Sequence, residues 1–215
     1  MYRTVIFDLD GTLLDTLDDL TASVNFALAC FSLPMRTREE VRAFVGNGIA
    51  KLIKRAIGYE HPRFEEIFQT FREHYGAHCK DNTKEYGGIT PLLVALNKQG
   101  VQTAVVSNKA DFAVKTLAAE YFPDLLQEAV GENEAAGIAK KPAPDSLLAV
   151  MKKLNAKGEE TVYVGDSEVD IQTAKNAGVD CISVTWGFKD EVFLRENDAK
   201  TLVKKPFEIL EFCKE

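Results

Sequence analysis

A chain of 215 residues, 46% hydrophobic and 27% charged, is long enough to bury a full core, as one large domain or as a core with a smaller insert. A formal net charge of −7 argues against nucleic acid or an anionic membrane as a partner, and it leaves any anionic substrate to be met by local cations. No apolar run reaches bilayer length, and Met1-Tyr2-Arg3 leads straight into a strand-like stretch with no signal peptide, so the expectation is a cytoplasmic protein, monomer or homodimer.

In chain order, Thr4–Phe7 is a short β-prone apolar run that reads as a buried strand and ends on Asp8-Leu9-Asp10-Gly11-Thr12. Helical spacing follows. Leu17, Leu20, Val24, Leu28 and Phe31 form one stripe, with Asp18 and Asp19 in its dipole-favoured first turn. Thr37 and Glu40 are spaced as a capping box ahead of Val41, Phe44 and Val45. Gly46-Asn47-Gly48 interrupts that stripe, which resumes at Ile49 and stops at Gly58. Phe64, Ile67, Phe68, Phe71 and Tyr75 predict a further helix, so residues 16–83 read as an all-helical insertion.

Beyond it the pattern alternates. Helices are predicted over 91–99, 110–121, 144–154 and 168–176. Strands are predicted over 102–106, 126–130, 161–164 and 181–184, the last being the final strand. This α/β alternation predicts a Rossmann-like parallel sheet with helices on both faces, built from residues 1–15 and 84–215, with the helical block as a cap domain. The four cysteines, Cys30, Cys79, Cys181 and Cys213, are too scattered for a disulfide framework or a zinc site.

The polar residues that stand out fall at predicted strand ends, where open parallel sheets bind ligands. Asp8 and Asp10 follow the first strand, Ser107 and Asn108 the second, and Asp166 and Asp170 a later one. Carboxylates gathered there repel one another unless compensated. Asp8, Asp10 and Asp166 would together offer oxygen ligands to a hard cation such as Mg²⁺. Lys141 would balance nucleophile and phosphate. Lys140 competes for that role, and the Lys-Pro pattern favours Lys141. Ser107 and the amides around Asn108 would hold phosphoryl oxygens.

Four segments, Phe7-Asp8-Leu9-Asp10-Gly11-Thr12-Leu13, Ser107-Asn108-Lys109, Lys141-Pro142-Ala143-Pro144-Asp145 and Val164-Gly165-Asp166-Ser167-Glu168-Val169-Asp170, occur in an order that resembles the haloacid dehalogenase superfamily, in its phosphoglycolate-phosphatase-like branch with a helical cap. The resemblance spans essentially the whole chain. It implies a Mg²⁺-dependent phosphatase in which Asp8 attacks phosphorus and binds the metal. Asp10 would protonate the leaving oxygen, activate the hydrolytic water and lend its carbonyl to the metal. Asp166 would be a further ligand, with Asp170 in support of Lys141. The implied substrate is a small phosphorylated metabolite, with phosphoglycolate favoured. A β-phosphoglucomutase-like phosphotransferase, an inorganic pyrophosphatase and a phosphonate hydrolase stay open within the same fold. A receiver-type signalling module and a phosphate-binding protein are the non-enzymatic alternatives.

In the cap, Gly46, Asn47 and Gly48 precede a helix N-terminus suited to an anion, and Lys51 and Arg55 share a face off the apolar stripe. The expectation is that this loop, with Lys51 or Arg55, faces a substrate carboxylate. A solvated basic face is the competing reading. His61, His74 and His78 read as solvated or packing residues, and Trp186-Gly187-Phe188 as a packed loop.

Overall fold

The computed structural model describes residues 1–133 and 137–213. Its core is a six-stranded, wholly parallel sheet. In chain order the strands are β1 (Thr4–Phe7), β4 (Gln102–Ala110), β5 (Glu128–Glu132), β6 (Thr161–Gly165), β7 (Asp180–Val184) and β8 (Thr201–Val203). They lie side by side as β5-β4-β1-β6-β7-β8. Thr4 pairs with Gln102 on one side and Thr161 on the other. The chain builds outward from β1 through β4 and β5, then crosses back to β6 and builds the other way. β1 is therefore at the switch point, where the loops leaving the sheet diverge and open a crevice.

All four β1 residues are buried, with alternate side chains entering different cores. Val5 and Phe7 face a large cluster with Leu92 and Leu93 of α5 (Ile89–Lys98) and Val114 and Leu117 of α6 (Asp111–Tyr121). Ile6 faces a smaller cluster with Leu147 and Val150 of α7 (Asp145–Lys153) and Ala174 of α8 (Glu168–Ala177). Strands buried on both faces read as unbroken apolar runs, and the period-2 pleat sorts their residues. The expected parallel sheet with helices on both faces is what the chain forms.

Four helices occupy the stretch after β1: α1 (Leu17–Cys30), α2 (Arg38–Phe44), α3 (Ile49–Ile57) and α4 (Phe64–His78). At the start of α2, Thr37 accepts from the Glu40 amide while the Glu40 carboxylate accepts from the Thr37 amide, the expected capping box. Where the chain leaves and rejoins the sheet, β2 (Leu14–Asp15) pairs antiparallel with β3 (Lys84–Glu85). Beside this ribbon, buried Asp19 accepts from the backbone and side chains of both Asn82 and Thr83.

Three features depart from the sequence reading. β4 does not end at Val106 but runs on to Ala110 through an irregularity in its pairing with β5. The short strand β8 follows β7, so β7 is not the last. The two-residue strands β2 and β3 bracket a stretch expected to be wholly helical. All four cysteines are free thiols, as the spacing implied. No helix among the described residues is long and apolar enough to cross a membrane.

Candidate active site

The carboxyl ends of β1, β4 and β6 deliver the polar residues to one crevice. Asp8 is the first residue beyond β1. Asp166 follows β6, and Asp170 sits in the first turn of α8. One carboxylate oxygen from each of these three buried acids lies within 4.8 Å of the others. Lys141, 4% exposed and carried by the connection between β5 and α7, reaches in beside them. Its ammonium lies 3.0 Å from Asp8 Oδ2 and 2.7 Å from Asp170 Oδ1, and it donates to the Tyr163 hydroxyl at 2.9 Å. Tyr163 passes that bond on to the Val106 carbonyl. The Lys141–Pro142 peptide is cis. Lys141 is thus the lysine of the pair that meets the acids.

Asp170 is held by the Ser167 amide at 3.0 Å and the Ser167 hydroxyl at 2.6 Å, so it serves both as an acid at a helix N-terminus and as the second partner of Lys141. Asp8 accepts from the Leu9 amide at 2.7 Å and from the Ser107 hydroxyl. Asp166 accepts from the Phe188 amide at 2.6 Å.

Electrostatics define what the cluster lacks. The Asp8 carboxyl is pushed up to about 6, by burial first and then by Asp170 and Asp10, against the opposing pull of Lys141 and the Ser107 hydrogen bond. Asp166 is driven well above its ordinary value by burial and by repulsion from Asp170 and Asp8. Three buried carboxylates share one buried lysine, so two negative charges lack a counterpart. A divalent cation would supply that charge. The donor atoms are carboxylate oxygens, which suit a hard cation rather than zinc or copper.

The Asp10 side chain turns out of this cluster. Its Oδ1 accepts from Thr16 at 2.7 Å and from Lys109 at 2.8 Å, and Asp10 is not among the acids grouped with Asp8 and Asp166. Lys109, 3% exposed, also bonds to the hydroxyl of Tyr75 in α4 and lies against that ring. Burial opposes its charge, yet Asp10 and Tyr75 outweigh burial and hold its pKa above the ordinary value. Neither Lys109 nor Tyr75 was assigned a role from sequence. Ser107, Asn108 and Lys109 are all buried, and they span the stretch between Val106 and Ala110 where the pairing of β4 with β5 shifts register.

Asn108 spends its side-chain amide on the carbonyls of Gly46, at 3.1 Å, and Lys141, at 3.0 Å. It braces the loop at Gly46 against the site, leaving its backbone as the group able to meet a phosphoryl oxygen.

Across the crevice, Gly46 and Gly48 line a small cavity of about 40 Å³ together with Leu20, Val45, Ile49 and Leu52. The expected basic face is elsewhere. Lys51 and Arg55 are exposed and do not line the cavity, because Ile49, Leu52, Ile53 and Ala56 take the inward face of α3. Arg55 instead donates to the Phe44 carbonyl at 2.7 Å and to Asn47 Oδ1 at 2.6 Å, which turns Asn47 toward the helix as well.

The loop after β7, read as simple packing, is tied to the site at each residue. Trp186 Nε1 donates to the Thr12 carbonyl at 3.0 Å. Arg42 of α2 donates to the Phe188 carbonyl at 2.6 Å and the Gly187 carbonyl at 3.1 Å, so the helical block grips the loop that bonds Asp166. Gly187 allows this approach, since a Cβ there would overlap the Gly11 carbonyl and the Asp166 carboxylate. Gly187→Ala is therefore expected to cost about 1–3 kcal/mol in urea unfolding and to reduce turnover by displacing Asp166. Wild-type values for both would contradict the packing described.

Residues 5–184 match the family described as haloacid dehalogenase-like hydrolase. The chain is 36% identical over 209 residues to phosphoglycolate phosphatase 1 of Pseudomonas aeruginosa, covering 94% of this chain and 75% of that protein. It is 31% identical over 207 residues to a Haemophilus influenzae phosphoglycolate phosphatase, with 92% of each chain covered. A crystal structure from Lactobacillus delbrueckii subsp. bulgaricus, provisionally named a phosphoglycolate phosphatase, superposes with a TM-score of 0.94 at 34% identity, over 100% of this chain and 99% of that one. With four acidic and basic residues of the ordered segments gathered at one sheet edge and a family match over most of its length, the chain belongs to the haloacid dehalogenase-like hydrolases.

Proposed function

We propose that this protein is a Mg²⁺-dependent phosphatase of short phosphate monoesters, working through an aspartyl-phosphate on Asp8. The observation that carries this reading is the buried Asp8, paired with Lys141 and set beside Asp166 at the switch point of the sheet. Asp8 and Asp166, with the Asp10 carbonyl, would hold the cation. Mg²⁺, when bound, supplies positive charge against the nucleophile and the phosphoryl oxygens.

A carboxylate is a weak nucleophile, so position and charge neutralisation matter more than a strong base. An Asp8 oxygen forms a bond to phosphorus while the ester P–O bond breaks and its oxygen takes a proton from Asp10. Water then attacks the phosphoryl group and gives its proton to Asp10, releasing inorganic phosphate and restoring the Asp8 carboxylate. Thr16 and Lys109 both bond to Asp10 Oδ1, which leaves Oδ2 as the oxygen to carry the proton. Lys141 and the Ser107 hydroxyl oppose charge on the transferring group.

Residues 16–83 act as a cap over a core of residues 1–15 and 84–215. The Arg42, Gly46–Asn108 and Tyr75–Lys109 contacts hold it down and exclude bulk water. The cavity is small, which favours a short ester such as phosphoglycolate, the substrate in the names of the relatives.

Turnover of p-nitrophenyl phosphate is expected to need Mg²⁺, to vanish with EDTA and to return on adding the ion back. At one hundred times its dissociation constant Mg²⁺ should stabilise the fold by about 2.7 kcal/mol. Among phosphorylated metabolites ranked by kcat/KM, two- and three-carbon esters should lead. Hexose phosphates leading by tenfold would overturn the substrate class, and full activity in EDTA would overturn the metal.

A further inference from the structure

We propose that Lys189 recognises a carboxylate on the substrate's leaving group and so sets the preference for acidic phosphate esters. This rests on the phosphatase reading above and names the residue that gives it specificity.

Lys189 is half-buried and lines the cavity that holds Asp8, Asp10 and Asp166. The other two lysines at the site are already matched: Lys109 with Asp10 at 2.8 Å, and Lys141 with Asp8 and Asp170 at 3.0 and 2.7 Å. Among the described residues no carboxylate lies within 4.0 Å of the Lys189 ammonium, which rests 5.3 Å from the centre of the Phe193 ring. A cation over an aromatic face is held less strongly than one in a charge-assisted hydrogen bond, so the ammonium is free to exchange the ring for an anion.

Charge accounting points the same way. A phosphate ester that also carries a carboxylate brings one negative charge more than the phosphoryl site is built to offset. The protein as a whole carries −7, so long-range attraction does not supply the difference. Lys51 and Arg55 stand outside the cavity, and the cap wall is apolar. Lys189 is the lining cation with charge to spare. Its backbone is well placed for the task. The preceding residues are fixed to Thr12, Asp166 and Arg42, so a long flexible side chain springs from a rigid base beside the phosphoryl site.

The test compares phosphoglycolate with 2-hydroxyethyl phosphate, which has the same length and no carboxylate, in wild type, Lys189→Met and Lys189→Arg with Mg²⁺ present. Lys189→Met should lose roughly ten- to hundredfold in kcat/KM on phosphoglycolate, chiefly through KM. That loss should exceed the loss on 2-hydroxyethyl phosphate by at least about tenfold, and Lys189→Arg should recover part of it. The ester without a carboxylate doubles as a control for folding. Equal losses on the two esters, or none on phosphoglycolate, would overturn the assignment of Lys189 and leave the phosphatase reading standing. A wild-type enzyme inactive on both esters and on p-nitrophenyl phosphate would overturn the phosphatase reading and this inference with it.

Discussion

Asp8→Asn is expected to lower kcat by about ten-thousandfold or more while the protein stays folded. The amide keeps the size of the side chain and can still accept from the Leu9 amide, which now bonds Asp8 Oδ1 at 2.7 Å. In the proposed covalent mechanism it cannot displace an ester from phosphorus, and losing the attacking group removes nearly the whole chemical advantage. Stability should hold because crowding is relieved. Burial and two neighbouring acids press the Asp8 carboxyl up to about 6, and a neutral amide ends that repulsion. Lys141 keeps Asp170 and Tyr163 as partners. Single-turnover assays with p-nitrophenyl phosphate and acid-quench trapping of the phosphorylated enzyme would check the prediction. A folded variant that retains one hundredth of wild-type turnover and still traps label would refute the role of Asp8.

Lys141→Met has the opposite balance, because it harms the fold as well as the chemistry. The ammonium is buried between Asp8 and Asp170, and its loss leaves both acids without their cation. Breaking one side of a buried ion pair costs about 3–5 kcal/mol, far more than an exposed pair such as Arg63–Glu66 is worth. Turnover should also fall by at least about a hundredfold, as for removal of a preorganised positive group near developing charge. Urea unfolding monitored by circular dichroism would give the stability term. An unchanged midpoint would mean that water reaches the cluster and that the ion pair is not the brace described.

Much of the candidate site was legible in the sequence because β1, β4 and β6 are buried on both faces. Apolar runs of that kind end abruptly, so Asp8, Ser107 and Asp166 stood out as the first polar residues beyond them. Capping at Thr37 was legible for a similar local reason, since both partners lie within four residues. What depended on tertiary placement was not. Tyr75 sits on the apolar stripe of α4 and reads as core, yet its hydroxyl meets Lys109. Lys51 and Arg55 share a helix face, and nothing in their spacing says whether that face turns toward the cavity or the solvent. β8 has three residues at a sheet edge, and β2 and β3 have two each, too few to carry a periodic signal. Phe188 contributes only its backbone to Asp166, which no side-chain pattern records.

The central strand has a consequence for how the molecule comes into being. Thr4 pairs with residues 98 and 157 positions later in the chain, Gln102 and Thr161, so β1 cannot be enclosed until β6 has been made. Contacts of such sequence separation are slow to form, because long loops must close before they repay any energy. During synthesis β1 must wait, exposed or loosely covered by the helices that follow it, while the residues up to β6 emerge. A nascent chain halted before residue 161 should therefore remain susceptible to protease within β1 and have no phosphoryl-transfer capacity, and both properties should change together once β6 clears the ribosome.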